Sequence, residues 1–276
     1  MKSSVKVLRV ERKAREQQCL SFLKSARVCN MYILEGMGVH HPLFHNYCLC
    51  VGDHIAGVLH TKNSSYLHLY IAPETDRSAA QELAAFIGKR FPKFEMLFGD
   101  EESVSEYFSC RGTSPRNTVR FIFMETDKGC FEPRLRYRGK IPIVGDAPLL
   151  IPLQIQYEIE EVGAMRSQID GKKVLKVMEN RIRRGEVSAI FSGKAPVALA
   201  GVNARFENCC QIGSVFVLPE YRSKEYGCSI VSYHVARLFK QYDRIVLFVH
   251  ERNGAAIHIY ENLGFKATGS LIQAYC

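Results

Sequence analysis

No apolar run in this sequence comes near the ~20 residues that a membrane-spanning helix needs, so no membrane association is expected. The N-terminal stretch Met1-Lys-Ser-Ser-Val-Lys-Val-Leu-Arg-Val10 has basic residues but lacks the apolar core and small-residue cleavage site of a signal peptide. Cys-x-x-Cys is absent as well. The ten cysteines are scattered, apart from one Cys-x-Cys (Cys48, Cys50) and one adjacent pair (Cys209, Cys210). A long chain without export signals is expected to keep them reduced and buried, in the cytoplasm. No P-loop, dinucleotide fingerprint or His-Glu-x-x-His occurs. The run from His40 to Cys50 gathers His40, His41, His45, Cys48 and Cys50, but without established zinc-ligand spacing. A loop followed by a strand, with Cys48 and Cys50 on one strand face and no metal, is the expectation.

What is present is a globular composition: 276 residues, 47% hydrophobic and 24% charged. That length suits two ordinary cores better than one large one. The net charge of +9 is uneven, since residues 1–125 hold 16 Lys/Arg against 13 Asp/Glu and residues 161–276 hold 16 against 10. A basic C-terminal half suits an anionic ligand. The basic residues are dispersed and show no aromatic interleaving, which argues against a nucleic-acid partner.

Residues 126–152 carry Gly129, Pro133, Gly139, Pro142, Gly145, Pro148 and Pro152 and read as a linker between domains 1–125 and 153–276. Its basic run, Arg134 to Lys140, reads as a solvated connector. Apolar spacing beyond it predicts helices over about 153–161, 166–183, 226–241 and 255–263, and strands over about 187–191, 196–203, 211–217, 244–249 and 270–275. The N-terminal half gives a fainter version of the same order. Helices fall over about 11–26, 77–90 and 101–109, and strands over about 46–51, 55–60, 66–71, 94–98 and 120–124. Setting Pro73 over Pro219 aligns Leu69-Tyr-Ile-Ala-Pro-Glu74 with Val215-Phe-Val-Leu-Pro-Glu220, which points to an internal duplication. Two unrelated α/β halves remain the alternative.

The most informative stretch runs from Gln211 to Ala267. Its opening, Gln211-Ile-Gly-Ser-Val-Phe-Val-Leu-Pro219, leads a strand into the turn Arg222-Ser-Lys-Glu-Tyr-Gly-Cys228. Its close places Asn253, Ala256, Tyr260 and Gly264-Phe265 at fixed offsets after a second strand. Together these resemble the acetyl-coenzyme A site of the GNAT superfamily of N-acetyltransferases. The resemblance covers the C-terminal half, and the whole arrangement resembles two-domain bacterial members. It implies an α/β (α+β) fold of two GNAT-like domains, each a mixed, mostly antiparallel central sheet flanked by helices. The N-terminal copy is degenerate: Asp76-Arg-Ser-Ala-Ala-Gln81 stands where the other half has Arg222 to Gly227, and it lacks glycine.

The resemblance further implies acetyl-CoA as co-substrate and direct acetyl transfer to a primary amine. The acceptor class is a small molecule, an amino acid or a peptide, and the protein a monomer or homodimer. Phe216, Val217 and Leu218 would pair with the pantetheine arm, with a backbone N–H there polarising the thioester carbonyl. Arg222, Ser223, Lys224, Glu225, Tyr226, Gly227 and Cys228 would cradle the pyrophosphate at a helix N-terminus. Glu225 replaces the first glycine of the usual turn, which disfavours a positive φ and puts a carboxylate near phosphate. Asn253 would meet the pantetheine or cap its helix. Tyr260 would protonate the departing thiolate. Glu158, Glu160, Glu161 and His250 are candidates for the base, with Glu161 the one chosen, and Cys228 at a helix N-terminus is either an acidified thiol or a small residue tolerated near phosphate. Two rival readings are a non-catalytic acyl-CoA-binding or regulatory protein and an acetyltransferase acting on nucleic acid.

Overall fold

The computed structural model describes residues 4–11, 13–25, 30–38, 43–163 and 165–276. The chain divides by internal contact into two compact units. One comprises Met1–Phe123, Phe248–Arg252 and Ala267–Cys276, the other Met124–Leu247 and Asn253–Lys266. His40 and His41 lie outside the described residues.

The first unit contains β1 (Val5–Arg9), α1 (Lys13–Ser25), α2 (Met31–Gly38), β2 (Phe44–Val51), β3 (His54–Lys62), β4 (Tyr66–Ile71), α3 (Arg77–Arg90), β5 (Met96–Asp100), α4 (Glu101–Arg111) and the first part of β6 (Asn117–Asp127). β1 to β4 pair antiparallel in sequence order, and α3 returns the chain so that β5 lies parallel to β4. Leu67, Leu69 and Ile71 alternate along β4 and face one core with Leu83 and Ile87 of α3.

The second unit contains α5 (Ala147–Glu160), α6 (Gly171–Arg183), β7 (Val187–Ser192), β8 (Ala195–Phe206), β9 (Cys209–Val217), α7 (Tyr226–Leu238), the first part of β10 (Arg244–His250) and α8 (Gly254–Asn262). β7, β8 and β9 pair antiparallel, and β10 lies parallel to β9 after the α7 crossover. Each unit thus repeats one pattern: an antiparallel meander, a helix, and a strand parallel to the last. α6 forms because Asp170 accepts from the Lys172 and Lys173 N–H groups, while Val174, Met178 and Ile182 bury one stripe.

Three elements depart from the sequence reading. β11 (Lys266–Tyr275), expected to begin near residue 270 and to finish the C-terminal half, pairs antiparallel with β5, Leu271 opposite Asp100, within the first unit. α5 starts at Ala147 rather than near residue 153. Pro148 sits in its first turn, where a missing N–H costs nothing, and Pro152 is inside the helix. The glycine- and proline-rich stretch is also folded against the second unit. Lys140 and Ala189 exchange both backbone hydrogen bonds on β7, and the Arg134 N–H donates to Ser232 Oγ.

Candidate active site

β9 is held on one side and released on the other. Its pairing with β8 runs from Cys209 to Val217, with one extra β9 residue between the Gly213–Gly201 and Phe216–Leu199 pairs. Ser214 sits at this bulge with φ 49°. Pairing with β10 stops at Gln211–Val246, so residues 212–217 continue without a β10 partner in that register. The result is a strand whose outer edge opens just before Pro219. Leu218 N–H donates to Val197 O at 3.0 Å, so it is committed to β8. Alternation along an antiparallel pair then directs the Val217 N–H and C=O to the opposite edge.

The turn that follows enters α7 through two residues in the left-handed region, Ser223 (φ 59°) and Glu225 (φ 65°, ψ 9°). Glutamate disfavours this conformation, yet Glu225 adopts it. Its carboxylate swings out to Arg136 Nη1 at 2.9 Å rather than into the turn. Glu225 O accepts from the Ser229 N–H, so the Tyr226, Gly227 and Cys228 N–H groups precede the first intrahelical bond. Gly227 is tightly fitted: a Cβ there would lie 3.1 Å from Ile259 Cδ1. Tyr226 stacks on Tyr137 of the connecting segment, centroids 3.9 Å apart and 5° from parallel.

Other turn residues are engaged differently from expectation. Arg222 is folded back onto β9 and α5, with Nε donating to Val217 O at 3.0 Å, Nη2 on Glu160 Oε2 at 2.6 Å, and its guanidinium over the Phe216 ring. Lys224 Nζ donates to Glu220 O. Cys228 is no acidified thiol: burial pushes its pKa up, and its Sγ lies 3.8 Å from Arg134 O.

Tyr260 projects from α8 into the interior and packs edge-on against Phe265. Asn253 caps that helix, its Oδ1 accepting from Ala256 N–H at 3.1 Å. Gly264, at φ 85°, ends it where a Cβ would strike Cys130 O. Burial raises the Tyr260 phenol pKa, and the neighbouring Tyr157 and Glu161 raise it further. Tyr157 was missed by the sequence reading. It lies on the α5 face that carries Gln154 and Glu161, and both the backbone and the hydroxyl of Ser214 are within its hydrogen-bonding reach; burial still leaves its pKa raised. The signal available was the spacing Gln154, Tyr157, Glu161 on one helix face.

Of the candidate bases, Glu161 is exposed and lies near both phenols. Glu158 accepts from Gln154 Nε2, Glu160 is paired with Arg222, and His250 Nδ1 accepts from Arg252 N–H. A cavity of about 450 Å³ opens beside the α7 N-terminus, lined among others by Arg134, Arg136, Glu225, Cys228, His258 and Asn262. Arg134, Leu135 and Arg136 of the connector are exposed, as expected, and also line this cavity.

Residues 160–265 match the family model described as the acetyltransferase (GNAT) family. That segment is similar to a GNAT domain. Solved structures extend the fold to nearly the whole chain. A GNAT-family acetyltransferase from Colwellia psychrerythraea aligns with TM-score 0.67 over 98% of this chain and 99% of its own, at 14% identity. A GCN5-related N-acetyltransferase from Sphaerobacter thermophilus gives TM-score 0.67, 12% identity, and coverage of 98% and 95%. A tandem GNAT protein from the clavulanic acid biosynthesis pathway gives 0.61, 13% identity, and coverage of 99% and 98%. At such identities the likeness concerns fold, and the two-unit arrangement fits the tandem type. A search of curated proteins gave no match.

Proposed function

We propose that this protein is an acetyl-CoA-dependent N-acetyltransferase that moves acetyl to a primary amine by direct attack. The observation that supports it best is the parting of β9 from β10 after Gln211, followed by a helix N-terminus entered through left-handed residues, inside the segment matched by the GNAT model. Of Phe216–Leu218 only Val217 turns its backbone to the open edge, where its C=O takes a pantetheine amide in place of Arg222 Nε. Val217 supplies the N–H for the thioester oxygen, since Leu218 is committed to β8. The Tyr226, Gly227 and Cys228 N–H groups, with Ser223 and Lys224, receive the pyrophosphate. Arg134 and Arg136 add positive charge beside them.

The amine must be neutral to attack. Glu161 accepts its proton through water, as the carboxylate nearest the two phenols. The nitrogen bonds to the thioester carbon, the C–S bond breaks, and Tyr260 donates to the leaving sulfur. Burial keeps Tyr260 protonated, the form a donor needs, and makes its phenolate short-lived.

The first unit takes no cofactor in this reading. β4 parts from β5 only after Leu69–Gly99, leaving Tyr70 and Ile71, and Ser103 Oγ accepts from the Ile71 N–H at 2.7 Å. Its cavity of about 740 Å³ is lined by Glu74, Asp100, Glu101 and Glu102, a poor host for phosphate. The acceptor is a small molecule, amino acid or peptide amine, and the compartment the cytoplasm, in keeping with nine free cysteines among the described residues.

One observation favours the non-catalytic rival: Arg222 is held by Glu160 and Val217 rather than free for phosphate. A screen of amines, amino acids and peptides for thiol release from acetyl-CoA separates the two. Acceptor-dependent release is expected. Tight coenzyme A binding with no release for any acceptor class would favour the rival.

A further inference from the structure

The connector around Arg134 carries exposed side chains on a backbone that is anchored to the second unit. Glu132 N–H donates to Leu263 O at 3.1 Å, and Arg134 N–H donates to Ser232 Oγ at 2.9 Å. The Arg136 and Tyr137 N–H groups both donate to Ser229 Oγ, at 3.1 and 3.2 Å. Ser229 and Ser232 are buried on α7, so their hydroxyls find hydrogen-bonding partners in the connector rather than in water. Tyr137, stacked on Tyr226, pins the same segment by its ring. A backbone held in this way presents its side chains from fixed positions. It precedes residues 160–265, the segment that matches the family model, so its contacts are additions to that segment.

What it presents is a pair of guanidinium groups beside an apolar surface. Arg134 and Arg136 line the cavity of about 450 Å³ at the α7 N-terminus together with Leu135 and, from α8, Ile259. That volume suits a nucleoside phosphate. Leu135 is 56% exposed and offers a face to a base. Both arginines are loosely held: Arg134 Nη2 is 3.9 Å from Glu132, Arg136 Nη1 is 2.9 Å from Glu225, and all four side chains are more than half exposed. Exposed ion pairs are worth little, so a phosphate dianion that takes charge-assisted bonds from both guanidinium groups outcompetes the carboxylates. In coenzyme A the 3′-phosphate lies one ribose ring from the pyrophosphate. A site for it has to adjoin the turn that takes the pyrophosphate, and this cavity shares Glu225 and Cys228 with that turn.

We propose that Arg134 and Arg136 bind the ribose 3′-phosphate of coenzyme A, with the adenosine against Leu135 and Ile259, so that the protein selects coenzyme A over 3′-dephospho-coenzyme A. This role rests on the acetyl-CoA reading and assigns the connector a share in specificity. On binding, Arg136 turns from Glu225 to the phosphate, and the exposed Glu225 carboxylate moves to solvent. Arg134 leaves Glu132 in the same way. The backbone anchors on Ser229 and Ser232 stay in place, so only the side chains rearrange.

The test compares coenzyme A with 3′-dephospho-coenzyme A by calorimetry, on the full-length chain and on the double variant Arg134→Gln with Arg136→Gln. The parent chain should bind coenzyme A about tenfold more tightly, the scale of a charge-assisted hydrogen bond. In the double variant the preference should fall to about twofold or less, through weaker coenzyme A binding, while dephospho-coenzyme A loses less than about threefold. Both side chains are more than half exposed, so the variant keeps the fold. Lys240→Gln removes an exposed charge just beyond the other end of α7 and should leave the preference unchanged. Equal affinities in the parent, a preference that survives the double variant, an equal loss for both ligands, or a Lys240→Gln effect of the same size would each overturn the proposal and leave the acetyl-CoA reading standing. Binding of neither ligand to the parent would overturn both.

Discussion

Glu225 holds a left-handed conformation that costs an L-residue about 1–2 kcal/mol, and it does so at the entry of α7. Its side chain returns little, because the Arg136 partner is largely exposed and surface ion pairs are weak. Glu225→Gly should therefore hold or raise stability, by up to about 1 kcal/mol, the strain relieved being partly offset by the entropy glycine loses on folding. Coenzyme A affinity should be equal or tighter. A lower denaturation midpoint would mean that the Arg136 contact organises the turn. Tyr260→Phe tests a different quantity. The ring that packs on Phe265 stays and only the hydroxyl goes, so acetyl-CoA affinity should persist while single-turnover acetyl transfer falls about 10²–10⁴-fold. Transfer as fast as in the parent chain would make Tyr260 structural.

Between β9 and α8 the elements were legible because each is punctuated in sequence. Pro219 closes a β-branched strand, Asn253 caps α8, and Gly264 ends it with the positive φ it needs. Less legible were elements whose signals are weak or conflicting. β1 is five residues, half-buried and basic, α2 is eight, and the start of α5 carries two prolines that read equally well as a linker. Side-chain destinations were not legible at all. Nothing in Arg222-Ser-Lys-Glu225 says that Arg222 will turn back to Glu160 or that Arg136, 89 residues upstream, will draw off the Glu225 carboxylate, since both are set by tertiary neighbours. At this scale two substitutions probe the turn and the helix. Gly227→Val should weaken coenzyme A binding by obstructing backbone approach, with a small loss of stability because Ile259 Cδ1 must yield. Unchanged affinity in a folded variant would remove the turn from the phosphate site. Asn253→Ala should cost about 1 kcal/mol of stability, read from denaturant unfolding, through the lost cap.

For the molecule as a whole, calorimetry should give one coenzyme A per chain, and two equivalent sites would return the first unit to the cofactor count. A pH titration probes both units together. His60 in the first and His234 in the second are buried, and burial depresses their pKa values to about 4 and about 3 from the ordinary 6.5. His234 also sits beside Arg237 and Arg181, while His60 Nδ1 is 2.7 Å from Asn46 Oδ1. On acidification the unfolded chain takes up these protons first, near pH 6.5, and the native chain takes them up only near the depressed values. Stability is therefore full above the unfolded pKa and is lost as pH falls toward the folded one. Each histidine contributes a slope of up to about 1.4 kcal/mol per pH unit in that window. The denaturant midpoint should fall from pH 6.5 to pH 4.5, before most carboxylates are protonated. In a folded His60→Asn or His234→Asn variant the decline should be shallower by about one proton, whatever its stability at pH 7. A midpoint that stays flat to pH 5 would mean that these imidazoles accept protons in the native chain, and that the polar interior under β3 and α7 is open to water.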